Sequence, residues 1–219
     1  MADTRSIVRW FGGTWLVLAV PLLILLLATN KLALHASINS HHTPWADAFF
    51  RHFTHVADGW VPTVLALLLL LLKDLRSFLM LGLSSGLSAI VVQTLKHGVF
   101  ADMDRPSKFR EALGSMDWVQ GIDQYQHFSF PSGHSTAAFS MCIALAVVLG
   151  HRRLAVPFAL MATVLAFSRV YLSQHFPQDA LAGSTLGTLS GIAVHHWLYI
   201  SPFAKKRWLT CNLLRRQNQ

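Results

Sequence analysis

Charged residues make up only 13% of this 219-residue chain, and acids are the scarcer sign, with 10 Asp and Glu against 18 Lys and Arg. A soluble domain carries charge on about a quarter of its residues. With 53% hydrophobic residues and a mean hydropathy of +0.43, the chain reads as a membrane protein. Cysteine is nearly missing. Cys142 lies inside an apolar run and Cys211 in a basic tail, too far apart in expected membrane depth to pair and without metal-ligand spacing, so no disulfide and no structural zinc is expected. The net charge of +8 would suit nucleic acid in a soluble protein. Here the cations sit at the ends of apolar runs instead of forming one patch interleaved with aromatics, and no nucleic-acid partner is expected.

What abounds is uninterrupted apolar sequence. The runs predict spanning helices at about 10–30, 57–73, 77–96, 133–150, 154–172 and 178–201, an all-α, six-transmembrane-helix bundle forming a single domain over 1–219. A helix rises about 1.5 Å per residue and the hydrocarbon is about 30 Å thick. The first run follows Arg5 and Arg9, as in a signal peptide, but it exceeds the roughly 7–15 apolar residues of such segments and lacks a clean small-residue cleavage site. Between the first two runs, Lys31 to Gly59 mixes Trp45, Phe49, Phe50 and Phe53 with Asp47, Arg51 and His52, a composition for the membrane interface, where Pro44 can start a short amphipathic helix. His41 and His42 are adjacent, point in different directions on a helix and read as solvated interfacial residues.

Orientation follows from cations without compensating acids. Arg5 and Arg9, Lys73 and Arg76, Arg152 and Arg153, and the tail with Lys205, Lys206, Arg207, Arg215 and Arg216 fall on one side of a six-helix alternation. Both termini are thereby expected in the cytoplasm. The Lys31–Gly59 segment, the polar His97–Phe130 connection and the loop at His175 then face the periplasm or exterior.

Two clusters on that outer face carry chemistry. SRVYLSQHFPQD, Ser168 to Asp179, sets Arg169, His175 and Asp179 at the mouth of an apolar segment. Pro177 fits a first helical turn, which puts His175 at the end of a loop and Asp179 in the opening turn. A carboxylate there can hold one imidazole nitrogen and leave the other free as a nucleophile. Pro131, Ser132, Gly133 and His134 open the fourth apolar helix; read alone they are an ordinary helix start with a serine cap, but on the same face as Arg169, His175 and Asp179 the free N–H groups of that start favour an anion. Lys96, Arg105 and Arg169 beside that helix start suit a phosphate, with His175 as nucleophile and His134 as proton donor, without metal. For Lys96 and Arg105 a competing reading is snorkelling, or pairing with Asp102 and Asp104.

These residues resemble the type 2 phosphatidic acid phosphatase superfamily of integral membrane lipid phosphatases. Pro131–His134 matches the second part of its signature, and Ser168, Arg169, His175 and Asp179 the third. The first part departs: eight residues separate Lys96 from Arg105 and Pro106 where the family usually has six. The resemblance implies His175 as nucleophile, Asp179 orienting it, His134 as acid and then base, and Lys96, Arg105, Ser132, Gly133 and Arg169 holding phosphate. No cofactor is implied. The implied partner is a phosphorylated lipid of the bilayer: phosphatidic acid, phosphatidylglycerol phosphate, undecaprenyl pyrophosphate or a lipid A phosphate. A lipid phosphotransferase passing the group to another lipid is the alternative enzyme. A transporter or scaffold would spread ionisable residues along a pathway, whereas here they gather at one face.

Overall fold

The computed structural model describes residues 3–114 and 116–212, so Arg215 and Arg216 lie outside the described residues. Within these, the chain is helical and forms no strand. The helices are α1 Thr4–Ala28, α2 Lys31–Ile38, α3 Pro44–Phe53, α4 Trp60–Leu72, α5 Leu75–Gly98, α6 Arg110–Leu113, α7 Gly133–Leu149, α8 Ala155–Tyr171 and α9 Pro177–His195. Several starts are set by short polar side chains that take up free N–H groups. Asp3 accepts from Arg5 N, Asn30 from Leu32 N, Thr43 from Ala46 N and Asp74 from Ser77 N. Pro44 and Pro177 occupy first helical turns, as their fixed φ favours. α7 ends at Gly150, whose φ of 73° is the left-handed cap that glycine adopts freely.

Three helices are long and apolar enough to cross a bilayer alone: α1, α5, and Arg152–Tyr171, which continues α8. Pro44–Ala57 and Trp60–Leu72, bent by 51°, count as a fourth if taken as one span. The other expected runs fall short for identifiable reasons. α4 has 13 residues and α7 has 17, and α9 is diluted by glycine, serine and threonine. Boundaries also move: α1 begins at Thr4, so that Arg5 and Arg9 lie within it, and α5 runs two residues beyond the expected 77–96 at each end.

α7 is the axis. Phe139, Met141, Cys142, Ile143, Ala144 and Ala146 on it are all buried, and α5, α8 and α9 pack around it. Between α7 and α9 the backbones come close at Gly183, Gly187 and Gly191, where a Cβ would run into Ser132 O, Thr136 O and Ile143 respectively. Small residues four apart permit such approach in lipid, where packing and not water exclusion drives helix association. Ser88 Oγ donates to Ser140 Oγ at 3.0 Å, joining α5 to α7. At the end of the bundle away from His175, the basic segments touch: Arg152 lies over the Trp10 ring, Lys73 Nζ reaches Val148 O, and Arg76 donates to Ala204 O.

Candidate active site

The chain leaves α8 through a tight turn, Leu172–Phe176, before Pro177 restarts helix. Gln174 N and His175 N both donate to Arg169 O, at 2.9 and 3.1 Å, which closes the turn on the helix end. His175 is 1% exposed. Its Nδ1 lies 3.5 Å from Asp179 Oδ2, longer than an ordinary hydrogen bond, and that nitrogen has no closer partner among the described residues. Asp179 is itself fixed: Oδ2 accepts from Ser129 Oγ at 2.5 Å and from Phe176 N at 2.9 Å. Its backbone carbonyl accepts from Ser132 N at 3.0 Å, binding the start of α9 to the start of α7. Burial first, then the cations Arg105, Arg169 and Lys96, hold the His175 imidazole well below its ordinary value of 6.5. The ring is thereby kept neutral, as a nucleophile requires.

The cations converge on a cavity of about 1000 Å³ that His175 lines together with Lys96, Arg105, Gly133, His134 and Arg169. Arg169, 9% exposed, gives Nη1 to Thr54 Oγ1 at 3.0 Å and Nη2 to Gln174 Oε1 at 3.5 Å, while its buried Nε has no partner among the described residues. Arg105 reaches in from the loop after α5. Its Nε donates to His127 O at 2.9 Å, and Nη1 and Nη2 lie near Gln174 O and Phe128 O at 3.3 and 3.4 Å. Asp104 pairs with Lys108 and His127 instead. Lys96, 8% exposed near the end of α5, has no carboxylate within ion-pair distance among the described residues. Neither Lys96 nor Arg105 pairs with Asp102 or Asp104 among the described residues. The two extra residues before Arg105 are absorbed in the loop, and Lys96 still lines the cavity.

Ser132 stands differently. Its side chain is fully buried and accepts from Ser135 N and Ser135 Oγ at 3.4 and 3.0 Å, so it caps α7 without lining the cavity. Asp179 likewise sits behind His175. His42 departs from the solvated residue expected: its side chain is 6% exposed, held by Asp47 at 3.1 Å and stacked on Tyr171.

Four residues unnoticed in the sequence complete the site. Asp58 Oδ1 lies 2.9 Å from His134 Nε2, Thr54 holds Arg169, Ser129 holds Asp179, and Gln174 bridges Arg105 and Arg169. Gln174 and Ser129 stood next to or close before the motif residues. Asp58 had only its place just before an apolar run, in the segment expected on the same face as His175, as a signal.

One wall of the cavity is apolar. It continues between α4 and α5 along Leu67, Phe78, Leu79 and Leu83, floored by Gly82 and Gly86. An anion-binding end joined to a hydrocarbon-lined groove accommodates an amphiphile whose charged group is the reacting one.

The comparisons with known proteins agree with this architecture. Lipid A 4'-phosphatase of Bacteroides thetaiotaomicron is 26% identical over 166 residues, covering 74% of this chain and 71% of that protein. The crystal structure of Aquifex aeolicus LpxE superposes with a TM-score of 0.62 at 27% identity, over 74% of this chain and 93% of that one. A transmembrane PAP2-type phosphatidylglycerolphosphate phosphatase from Bacillus subtilis gives a TM-score of 0.62 at 25% identity, over 93% of this chain and all of that one. The PAP2 superfamily profile matches residues 77–202, more than half of the sequence, with Lys96, Arg105, His134, Arg169, His175 and Asp179 all inside the match. The chain belongs to the PAP2 superfamily.

Proposed function

We propose that this lipid phosphatase hydrolyses the phosphate ester or pyrophosphate of a membrane lipid through a phosphohistidine on His175. The observation that carries the reading is a buried neutral histidine, backed by a fixed carboxylate, in a three-cation cavity with a hydrocarbon-lined wall. The free imidazole nitrogen attacks phosphorus and the P–O bond to the lipid breaks. His134 gives its proton to the departing oxygen, then takes one from the water that cleaves the phosphohistidine. Lys96, Arg105, Arg169 and the backbone at Gly133 hold the phosphoryl oxygens, and their fixed charges stabilise the transition state. Ser132 supports the start of α7 by capping it, and Asp179 orients His175.

The domain is the whole chain, and the bundle crosses the membrane six times. α4, α7 and α9 serve as spans although each is short or mixed in composition, with flanking residues such as Trp60 and Lys73 reaching the interfaces. Both termini are cytoplasmic, supported by the basic segments meeting at the end opposite His175. The site then faces the periplasm or exterior. The named relatives point to a lipid phosphomonoester, of the lipid A or phosphatidylglycerolphosphate kind. A panel of lipid phosphates given to purified protein in detergent, reading released inorganic phosphate, tests this. Radiolabelled substrate quenched in alkali should leave label on the parent protein and none on His175→Ala. Release from no member of the panel, or equal labelling of His175→Ala, would refute it.

A further inference from the structure

The turn Thr54–Asp58, between α3 and α4, lies outside residues 77–202 yet touches two residues of the site. Asp58 Oδ1 is 2.9 Å from His134 Nε2, and Asp58 Oδ2 is 2.9 Å from His55 Nδ1. Thr54 Oγ1 accepts from Arg169 Nη1 at 3.0 Å, and Thr54 is 3% exposed. We infer that this turn is the positioning element for the leaving-group acid, with Asp58 setting the tautomer and charge of His134 while Thr54 aims the guanidinium of Arg169.

A carboxylate accepts only, so the proton between Asp58 and His134 belongs to Nε2. With Nε2 committed, Nδ1 is the ring nitrogen left for substrate: a lone pair when His134 is neutral and a donor when it is an imidazolium. Asp58, at 2.9 Å, is the carboxylate positioned to offset the charge when His134 becomes an imidazolium beside the cations of the cavity. His55, with a side chain 62% exposed, holds the far oxygen and keeps the carboxylate turned inward. Asp58 is thus a positioning residue acting through His134. The inference rests on the reading of His134 as the acid, and the experiment keeps the two apart.

Purified full-length protein is given phosphatidic acid or p-nitrophenyl phosphate, and the first-turnover burst of diacylglycerol or nitrophenol is read by rapid quench. A lipid alkoxide needs a proton as it leaves, whereas nitrophenolate does not. Asp58→Asn keeps the shape and removes the charge. It should cut the lipid burst by about ten- to a hundredfold, the lower part of what a general acid contributes, and spare most of the nitrophenol burst. Adding Asp58→Asn to His134→Ala should produce no further loss, and Asp58→Glu should restore part of the lipid burst. A lipid burst unchanged in Asp58→Asn, or equal losses for both substrates, overturns the inference. Equal losses in His134→Ala itself overturn the acid role of His134, and with it this one. Should Asp58→Asn not yield monodisperse protein, Asp58→Glu and the same cycle in the His134→Ala background decide the matter.

Discussion

Replacing Gly187 by Ala tests whether the close approach of α7 and α9 holds the site together. A Cβ at Gly187 would press on the carbonyl oxygen of Thr136 and lie 2.9 Å from Phe139 Cβ and 3.0 Å from Ser140 N. Carbon atoms pack comfortably at about 3.5–4.0 Å, and since these neighbours are backbone or Cβ atoms, no rotamer change relieves the clash. The helices must part by about 0.5–1 Å. Overpacking of this kind costs about 1–3 kcal/mol, against about 1 kcal/mol regained because Ala is the better helix former, leaving a net loss of up to about 2 kcal/mol. Catalysis should suffer more. α9 carries Asp179 and α7 carries His134, joined by the 3.0 Å hydrogen bond from Ser132 N to Asp179 O, and a displacement of about 1 Å can cost on the order of a hundredfold in rate. Thermal unfolding in detergent and kcat/KM on a hydrolysed lipid measure the two effects. Gly13→Ala, inside α1 with nothing within 4 Å of the added carbon, is the control: it should leave kcat/KM unchanged and stability unchanged or raised by up to about 1 kcal/mol. A Gly187→Ala protein as stable and as active as its parent would refute the packing argument.

Arg105→Ala and Lys96→Ala should each lower kcat/KM by about a hundredfold or more, as loss of one preorganised donor does. Arg105 should matter more, because it also braces Gln174 and the His127–Phe128 backbone; near-full activity in Lys96→Ala would make it a mere helix end. The acid limb of kcat/KM should lie below pH 6.5, because His175 is held below that value in the folded protein and stays neutral as pH falls through it. Arg105→Gln removes one of the charges responsible, so its acid limb should move up towards 6.5; an unmoved limb contradicts the assignment. A single cysteine at Gln120, with Cys142 and Cys211 replaced, should react with an impermeant thiol reagent in intact spheroplasts. Labelling only after lysis would invert the topology.

The site was more legible than the bundle that holds it. Pro177 in a first turn, Asp179 three residues into α9 and Gly133 at the start of α7 follow from local backbone preferences, and the structure places each there. Pro44 likewise starts α3. The pairings of Asp58 with His134 and of Thr54 with Arg169 were hidden because each joins residues far apart in the chain, and no periodicity encodes a contact between separate elements. α2 was hidden too. It is eight residues long and mixes His35 and Ser37 with apolar neighbours, and what orders it is burial of Leu34 and His35 with a hydrogen bond between His35 and Ser173 and one donated by Asn39 to Val170 O. Hydropathy finds three or four candidate spans among the described residues: α7 is apolar but only 17 residues long, and α9 carries glycine, serine and threonine where it packs closely on α7.

The hydrocarbon-lined wall along Leu67, Phe78 and Leu79 changes what concentration means for this enzyme. A substrate seated there arrives by two-dimensional diffusion, so the turnover rate follows its mole fraction in the membrane or micelle and not its amount per volume. Added detergent at constant lipid would act as a diluent. An inhibitor would need to partition into the bilayer before competing, and its potency would vary with the amount of membrane in the assay.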